Sequence, residues 1–121
     1  MDNKVTRVLA QHEEQFLTLK KGGTFEIAEG VRKVYIDGAG EDFILNLFDP
    51  IGHSLIKPRF LVVCKNANSV VLNAPQGLVG ASGIRNTSIN GVASKTMATV
   101  VNGVLELTAV DEESFIITQE I

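Results

Sequence analysis

Three short runs of alternating apolar and polar residues follow one another between residues 24 and 48. Their apolar members are Phe25 and Ile27, then Val34 and Ile36, then Phe43, Leu45 and Leu47. A period of two predicts β-strands that bury one face. The runs are separated by residues 29–30 and 37–41, which are rich in Gly, Asp and Glu. Short strands joined by glycine turns predict an antiparallel meander.

The same signals predict strands in the rest of the chain. Residues 59–65 are apolar on both faces, and the polar turn at 66–68 leads into residues 69–73 as a second hairpin. Asn102-Gly103 predicts a further hairpin, because both residues accept the positive φ angles of a type I′ turn. The predicted strands lie near residues 24–28, 31–36, 42–48, 59–65, 69–73, 96–101, 104–110 and 114–119. This number of strands predicts an all-β fold, an antiparallel β-sandwich or jelly-roll with a short N-terminal arm.

The N-terminal segment leaves two interpretations open. The spacing of Val5, Leu9, His12, Phe16 and Leu19, at intervals of four, three, four and three, fits a helix. The alternative ends any helix near Glu14 and takes residues 16–19 as a strand that turns into residues 24–27. In both cases we expect an arm over residues 1–20, attached to one β-sandwich domain over residues 21–121.

Length and charge exclude several classes of protein. A chain of 121 residues suits one domain, and a net charge of −3 without a basic run argues against nucleic-acid binding. The longest apolar runs have about five residues, whereas a membrane-spanning helix needs roughly eighteen. A single cysteine and no apolar leader predict a protein that is made in a reducing cytoplasm and does not act in a membrane.

No pattern in the sequence names a reaction. Cys64 and His53 could meet as a catalytic pair, but a cysteine inside an apolar run is more often a small core residue. Carboxylates at Asp37, Glu41, Asp42 and Asp49 could hold Ca²⁺ or act as a glycosidase pair, yet their spacing matches no calcium loop. We therefore predict no catalytic residue, no cofactor and no metal ligand. The competing hypothesis is an enzyme or small-ligand protein that works through these turns or through Cys64.

Several strands carry apolar residues on both faces, among them residues 61–63, 70–71, 100–101 and 116–117. A domain of this size buries only about two thirds of the surface of its unfolded chain. We therefore expect some of these faces to meet another subunit. The alternative is that one compact sandwich covers both faces of every strand.

Three stretches resemble the small β-domains of tailed-bacteriophage virion proteins, which include capsid decoration proteins and the terminal domains of tail fibres and spikes. The stretches are GGTFEIAEGVRKVYIDGAGEDFILNLFDP, RFLVVCKNANSVVLNA and NGVLELTAVDEESFIIT. The resemblance implies a homotrimer that is a structural, late protein on the capsid surface and is made in the host cytoplasm. It also implies binding to the major capsid protein, and neither nucleic acid nor membrane as a partner.

Two segments are candidates for the contact with a partner. In a decoration or cement protein, the arm would lie against the capsid or a neighbouring subunit through Val5, Val8 and Leu9. In a tail-fibre or spike tip, the long Gly-, Ser- and Asn-rich segment at residues 74–91 would bind a host receptor. Its candidate contact residues are Leu78, Val79, Ile84 and Arg85.

Overall fold

The computed structural model describes residues 16–50, 59–81 and 83–121. All of the named elements in these ranges are strands, and strands account for 63% of the described structure. The all-β fold predicted from the sequence is therefore confirmed. The finer expectation of an antiparallel sandwich or jelly-roll is not confirmed, because the sheets are mixed and partly parallel.

The described strands form a six-stranded sheet, a four-stranded sheet and a small two-stranded hairpin. In chain order they are β1 (Phe16–Leu19), β2 (Gly23–Glu26), β3 (Lys33–Asp37), β4 (Asp42–Asn46), β5 (Arg59–Asn66), β6 (Ser69–Asn73), β7 (Leu78–Gly80), β8 (Gly83–Arg85), β9 (Ser88–Ile89), β10 (Ser94–Thr96), β11 (Val101–Asp111) and β12 (Ser114–Glu120). The strand order is β1-β3-β5-β11-β12-β9 in the large sheet and β10-β6-β4-β2 in the small sheet.

The first six strands alternate between the two sheets. β1, β3 and β5 pair in parallel in the large sheet, and β2, β4 and β6 pair in parallel in the small sheet. Each turn of the chain thus adds one strand to each sheet, as in a short β-solenoid. The predicted meander and the predicted hairpin at residues 66–68 are wrong. Turn residues mark a change of direction, but they do not tell whether the chain returns beside itself or crosses to the other sheet.

The two sheets enclose one hydrophobic core. On the β3 strand, Val34 and Ile36 point inward and are fully buried, and on β4 the same is true of Phe43 and Leu45. This is the alternation that the sequence predicts for strands with one buried face. The aromatic ring of Phe48 extends this core, packing edge-on against two other rings at centroid distances of 5.5 and 5.6 Å.

The chain reverses direction in its last third. β10 runs antiparallel to β6, β11 runs antiparallel to β5, and β12 returns beside β11 through a tight turn in which Asp111 pairs with Ser114. The amide of Glu113 donates to Oδ1 of Asp111 at 2.8 Å and closes this turn. The strands predicted at residues 104–110 and 114–119 are confirmed here.

The predicted hairpin at Asn102-Gly103 is wrong, since β11 continues through both residues. Asn102 does adopt the positive φ, 54°, that the prediction required, but it does so inside a strand. Position 103 requires glycine for a different reason, because a Cβ there would lie 1.9 Å from the carbonyl oxygen of Thr99. The motif therefore marks a close backbone approach where the chain crosses from β10 to β11.

The structure also decides between the two interpretations of residues 16–19. They form strand β1, as in the second interpretation, but β1 pairs with β3 and lies in a different sheet from β2. Of the arm expected over residues 1–20, the part at 16–19 thus belongs to the large sheet, whereas residues 1–15 lie outside the described residues. The segment at 74–91 is less irregular than expected, since it contains β7, β8 and β9.

Candidate functional site

The β7–β8 hairpin presents two apolar side chains to solvent. Val79 and Ile84 face each other across the two strands and are 85% and 71% exposed. Gly77 and Gly83 adopt positive φ angles of 68° and 112°, which lets the short strands turn out of the body of the protein. Because large apolar side chains in a soluble domain are seldom this exposed as a pair, the hairpin is a candidate contact surface.

An ion pair fixes the base of this hairpin. The guanidinium of Arg85 donates to both carboxylate oxygens of Asp49, at 3.1 and 2.5 Å. It also donates to the carbonyl oxygen of Glu112 at 2.5 Å. The hydrogen bond with Asp49 raises the pKa of Arg85, so the side chain stays charged. The side chain of Arg85 thus ties the hairpin to Asp49, in the segment that follows β4, and to Glu112, in the β11–β12 turn.

Hydrogen bonds next to Arg85 hold the two ends of the hairpin together. The amide of Gly77 donates to Oδ1 of Asn86 at 2.8 Å, and Nε2 of Gln76 donates to the carbonyl oxygen of Thr87 at 2.6 Å. The buried hydroxyl of Thr87 donates to the carbonyl oxygen of Pro75 at 2.8 Å. These bonds satisfy backbone groups that a free loop would leave to water, so the apolar tip sits on a fixed base.

A shallow cavity of about 170 Å³ lies beside the hairpin, between its backbone and the β11–β12 turn. It is lined by Gly80, Gly83, Ile84, Arg85, Glu112 and Glu113. Pockets that enclose a drug-sized molecule usually measure about 300–1,000 Å³. This cavity suits a single side chain of a protein partner better than a small-molecule substrate.

The four candidate loop residues thus have different roles. Val79 and Ile84 form the exposed pair, while Leu78 is half-buried. Arg85 is the anchor of the hairpin, because its side chain is held by Asp49 and Glu112. The arm residues Val5, Val8 and Leu9 lie outside the described residues, so their predicted contact stays a prediction.

Cys64, which was considered for catalysis, has a structural partner. Cys64 is fully buried and its thiol donates to the carbonyl oxygen of Val100 at 3.3 Å. Burial raises the pKa of this thiol, which disfavours the reactive thiolate. His53, its proposed partner, lies outside the described residues.

Two of the four carboxylates considered for calcium or catalysis, Asp42 and Asp49, have hydrogen-bond partners. Oδ1 of Asp42 accepts hydrogen bonds from Asn68 and Ser69, both at 2.7 Å, and these bonds lower the pKa of Asp42. Asp49 holds Arg85. Within residues 16–50, 59–81 and 83–121 no group of three or more His, Cys, Asp or Glu side chains is placed to hold a metal ion.

Sequence reasoning missed the anchor of the hairpin. The sequence suggested Asp49 only as a calcium ligand or catalytic carboxylate, and it did not suggest Glu112 as a site residue. Arg85 is the only charged residue in the segment 74–91, but a single charge in a polar segment is normally exposed and does not indicate a partner. The partner is 36 residues away in the sequence, so its identity needed the structure.

Comparison with known proteins returned no match: no family model, no curated protein and no solved structure resembles this chain closely enough to be reported. In the part of the chain that the structure describes, there is also no helix of the length and hydropathy needed to span a membrane.

Proposed function

We propose that the protein is a structural virion component, a capsid decoration or cement protein that contacts the major capsid protein through its β7–β8 hairpin. The observation that supports this most is the exposed pair of Val79 and Ile84 on a base fixed by Arg85. A rigid apolar tip can insert into a groove of a partner with little loss of conformational entropy. The virion context itself comes from the sequence resemblance.

The size of the tip suits a contact that is repeated over a lattice. Full burial of one aliphatic side chain contributes about 1.5–3 kcal/mol, so two such side chains give a weak contact on their own. A decoration protein needs no more, because it binds the assembled shell at many sites. At a concentration a hundredfold above Kd, each occupied site stabilises the shell by about 2.7 kcal/mol.

The second candidate is the tip of a tail fibre or spike that binds a host surface. One observation favours it: among the described strands, β1 and β2 are end strands of their sheets, and both belong to the parallel coil. A parallel coil is suited to continuing a fibrous shaft, since the next turn adds one strand to each sheet. In this case the hairpin would contact the host receptor.

Binding assays separate the two candidates. The intact chain, a chain lacking residues 1–15 and the double variant Val79→Ser/Ile84→Ser are added to undecorated capsids and to host cells of the virus that encodes the chain. Ile44→Ser is the matched control, because Ile44 is also exposed, at 38%, but lies on the small sheet.

Capsid binding that is lost in the double variant and kept in the control supports the decoration role through the hairpin. Loss on truncation alone assigns the contact to the arm residues Val5, Val8 and Leu9. Binding to cells but not to capsids replaces this proposal with the fibre or spike tip. If the chain binds neither, the virion role is wrong.

The homotrimer and the capsid-surface location remain predictions of the resemblance. The absence of catalysis is also a prediction, and the replacement of Asp37 and Asp42 by Asn, or of Cys64 by Ala, tests it. An activity that disappears in a folded variant of this kind would favour the enzyme hypothesis.

A further inference from the structure

The outer face of the large sheet carries a central apolar strip. On β5, Phe60, Val62 and Cys64 point into the core, so Leu61 and Val63 point outward. The neighbouring strands β3 and β11 follow the same alternation and turn Tyr35 and Val104 to this outer face. These outward residues are only half-buried, although they occupy the middle of the largest sheet.

The strand register arranges this face in two rows centred on β5. In the first row, Leu61 lies between Lys33 on β3 and Glu106 on β11. In the second row, Val63 lies between Tyr35 on β3 and Val104 on β11. Each row therefore has an aliphatic centre, and the first row has opposite charges at equal distances on its two sides.

Lys33 and Glu106 stand on opposite sides of β5, separated by two strand spacings, which is about 10 Å between backbones. Each side chain contacts its outer neighbour rather than the other charge. The ammonium of Lys33 lies 5.9 Å from the centre of the Phe16 ring, and the hydroxyl of Thr118 donates to Oε1 of Glu106 at 2.7 Å.

We propose that this face binds a second copy of the chain about a two-fold axis that runs along β5. A rotation of 180° about such an axis exchanges the β3 and β11 sides of the sheet but keeps each row opposite itself. Lys33 of one copy then faces Glu106 of the other, twice, and Leu61 and Val63 face their own counterparts. Self-complementarity of this kind is what an isologous interface requires.

The charges beside Leu61 favour a second copy over an unrelated partner. The same axis also brings Arg59 and Lys65, which are exposed at the two ends of the strip on β5, opposite their own counterparts, and their long side chains must turn away to water at these ends. A face-to-face contact between sheets buries the apolar strip at a spacing of about 10 Å, and it brings the two ion pairs to the rim of the strip. If both sides of Leu61 carried the same charge, two copies would repel each other in this orientation. This inference does not depend on the proposed function, and it predicts dimers where the sequence resemblance implies trimers.

Exchange of the two charges tests the interface. Sedimentation over about 1–100 µM gives the mass and the dissociation constant of the wild type, Lys33→Glu, Glu106→Lys and the double variant K33E/E106K. The wild type is expected at about twice the 13.0 kDa of one chain. Each single variant is expected to weaken the dimer by about tenfold or more, because it places like charges opposite each other. The double variant restores the opposite charges and the affinity.

A mixture of the two single variants is the sharpest part of this test. In a two-fold contact, the two acidic side chains of Lys33→Glu face the two basic side chains of Glu106→Lys. The mixture is therefore expected to form heterodimers tighter than either variant alone. No change within one chain can produce this result, and circular dichroism confirms that each variant is folded.

Covalent cross-linking through introduced cysteines gives a second, independent measurement. The axis places Val63 opposite Val63 of the other copy, at a sheet spacing of about 10 Å, which is too wide for a disulfide but within reach of a short bismaleimide reagent. Val63→Cys is therefore expected to be trapped as a covalent dimer by this reagent. Ile44→Cys on the outer face of the small sheet is the matched control, and the wild type controls for the buried Cys64. A wild type that is monomeric or trimeric, unchanged affinity in both single variants, or equal trapping at Val63 and Ile44 would each overturn the proposal.

Discussion

Asn73 donates a hydrogen bond from its Nδ2 to Oδ1 of Asn46, 3.0 Å away on the neighbouring parallel strand. This bond is the middle step of a ladder across the outer face of the small sheet. Asn46 donates in turn to Glu26, and the hydroxyl of Ser94 donates to Asn73. The ladder exists because the strand register, parallel between β2, β4 and β6 and antiparallel between β6 and β10, places these four residues side by side.

We expect Asn73→Ala to lower the free energy of unfolding by about 1 kcal/mol. The substitution removes the donor to Asn46 and the acceptor for Ser94, and a side-chain hydrogen bond contributes about 0.5–1.5 kcal/mol net. Urea denaturation measures the change. Thr24→Ala is the control, since Thr24 is exposed on β2 of the same sheet, and we expect a change within about 0.5 kcal/mol. Equal effects of the two substitutions would show that the ladder adds no stability.

We expect Gly103→Ala to destabilise the fold by about 3 kcal/mol or more. The new Cβ would lie 1.9 Å from the carbonyl oxygen and 2.7 Å from the carbonyl carbon of Thr99, and backbone atoms cannot move aside cheaply. Gly30→Ala is the matched control, because nothing lies within 4 Å of its Cβ position. Its effect is expected to stay within about 1 kcal/mol. A stable Gly103→Ala protein would mean that β10 and β11 are not joined as described.

Local sequence predicted most of the longer strands, but the predicted strand at residues 96–101 is wrong over 97–100, which connect β10 to β11. The buried alternation at Val34 and Ile36, and at Phe43 and Leu45, matches the period-two pattern, because each strand faces one core and water on its other side. Local sequence did not predict which strands pair. β3 and β5 are neighbours with more than twenty residues between them, and such a parallel pairing leaves no local trace at the turns.

The candidate site was predicted only in part. The exposure of Val79 and Ile84 could be expected, because isolated apolar residues in a segment rich in Gly, Ser and Asn have little core to join. The pairing of Arg85 with Asp49 and the rows around Leu61 depend on distant strands. Both follow from the three-dimensional register, which no spacing in the sequence reveals.

The hairpin anchor can be tested without any partner. We expect Arg85→Met to speed hydrogen exchange at the amides of Leu78 and Val79 while the core strands exchange as before, because the side chain that ties the hairpin to Asp49 and Glu112 is lost. Exchange followed by mass spectrometry measures this. Lys95→Met is the comparison, since its ion pair with Glu120 lies on other strands. Unchanged exchange in the hairpin would mean that Arg85 does not fix it.

Acid should destabilise the protein partly through Asp42. Hydrogen bonds from Asn68 and Ser69 lower the pKa of Asp42 in the folded state, so the folded state binds its proton less readily than the unfolded state does. The contribution of this carboxylate is therefore present at neutral pH and is lost as the pH falls below about 5. We expect Asp42→Asn to have a flatter stability curve than the wild type between about pH 5 and pH 2. Parallel curves for the two proteins would exclude this role.

The thiol of Cys64 should be unreactive in the folded protein. It is fully buried on the inner face of β5, it donates to Val100, and burial raises its pKa, so both access and thiolate are lacking at pH 7. We expect an aromatic disulfide reagent to label the wild type no faster than the chain unfolds, and to label it quickly in urea. Val101→Cys in a Cys64→Ala background is the control, because Val101 is 56% exposed and should react at once. Rapid labelling of native Cys64 at neutral pH would contradict the burial of this thiol and would favour the catalytic pair with His53.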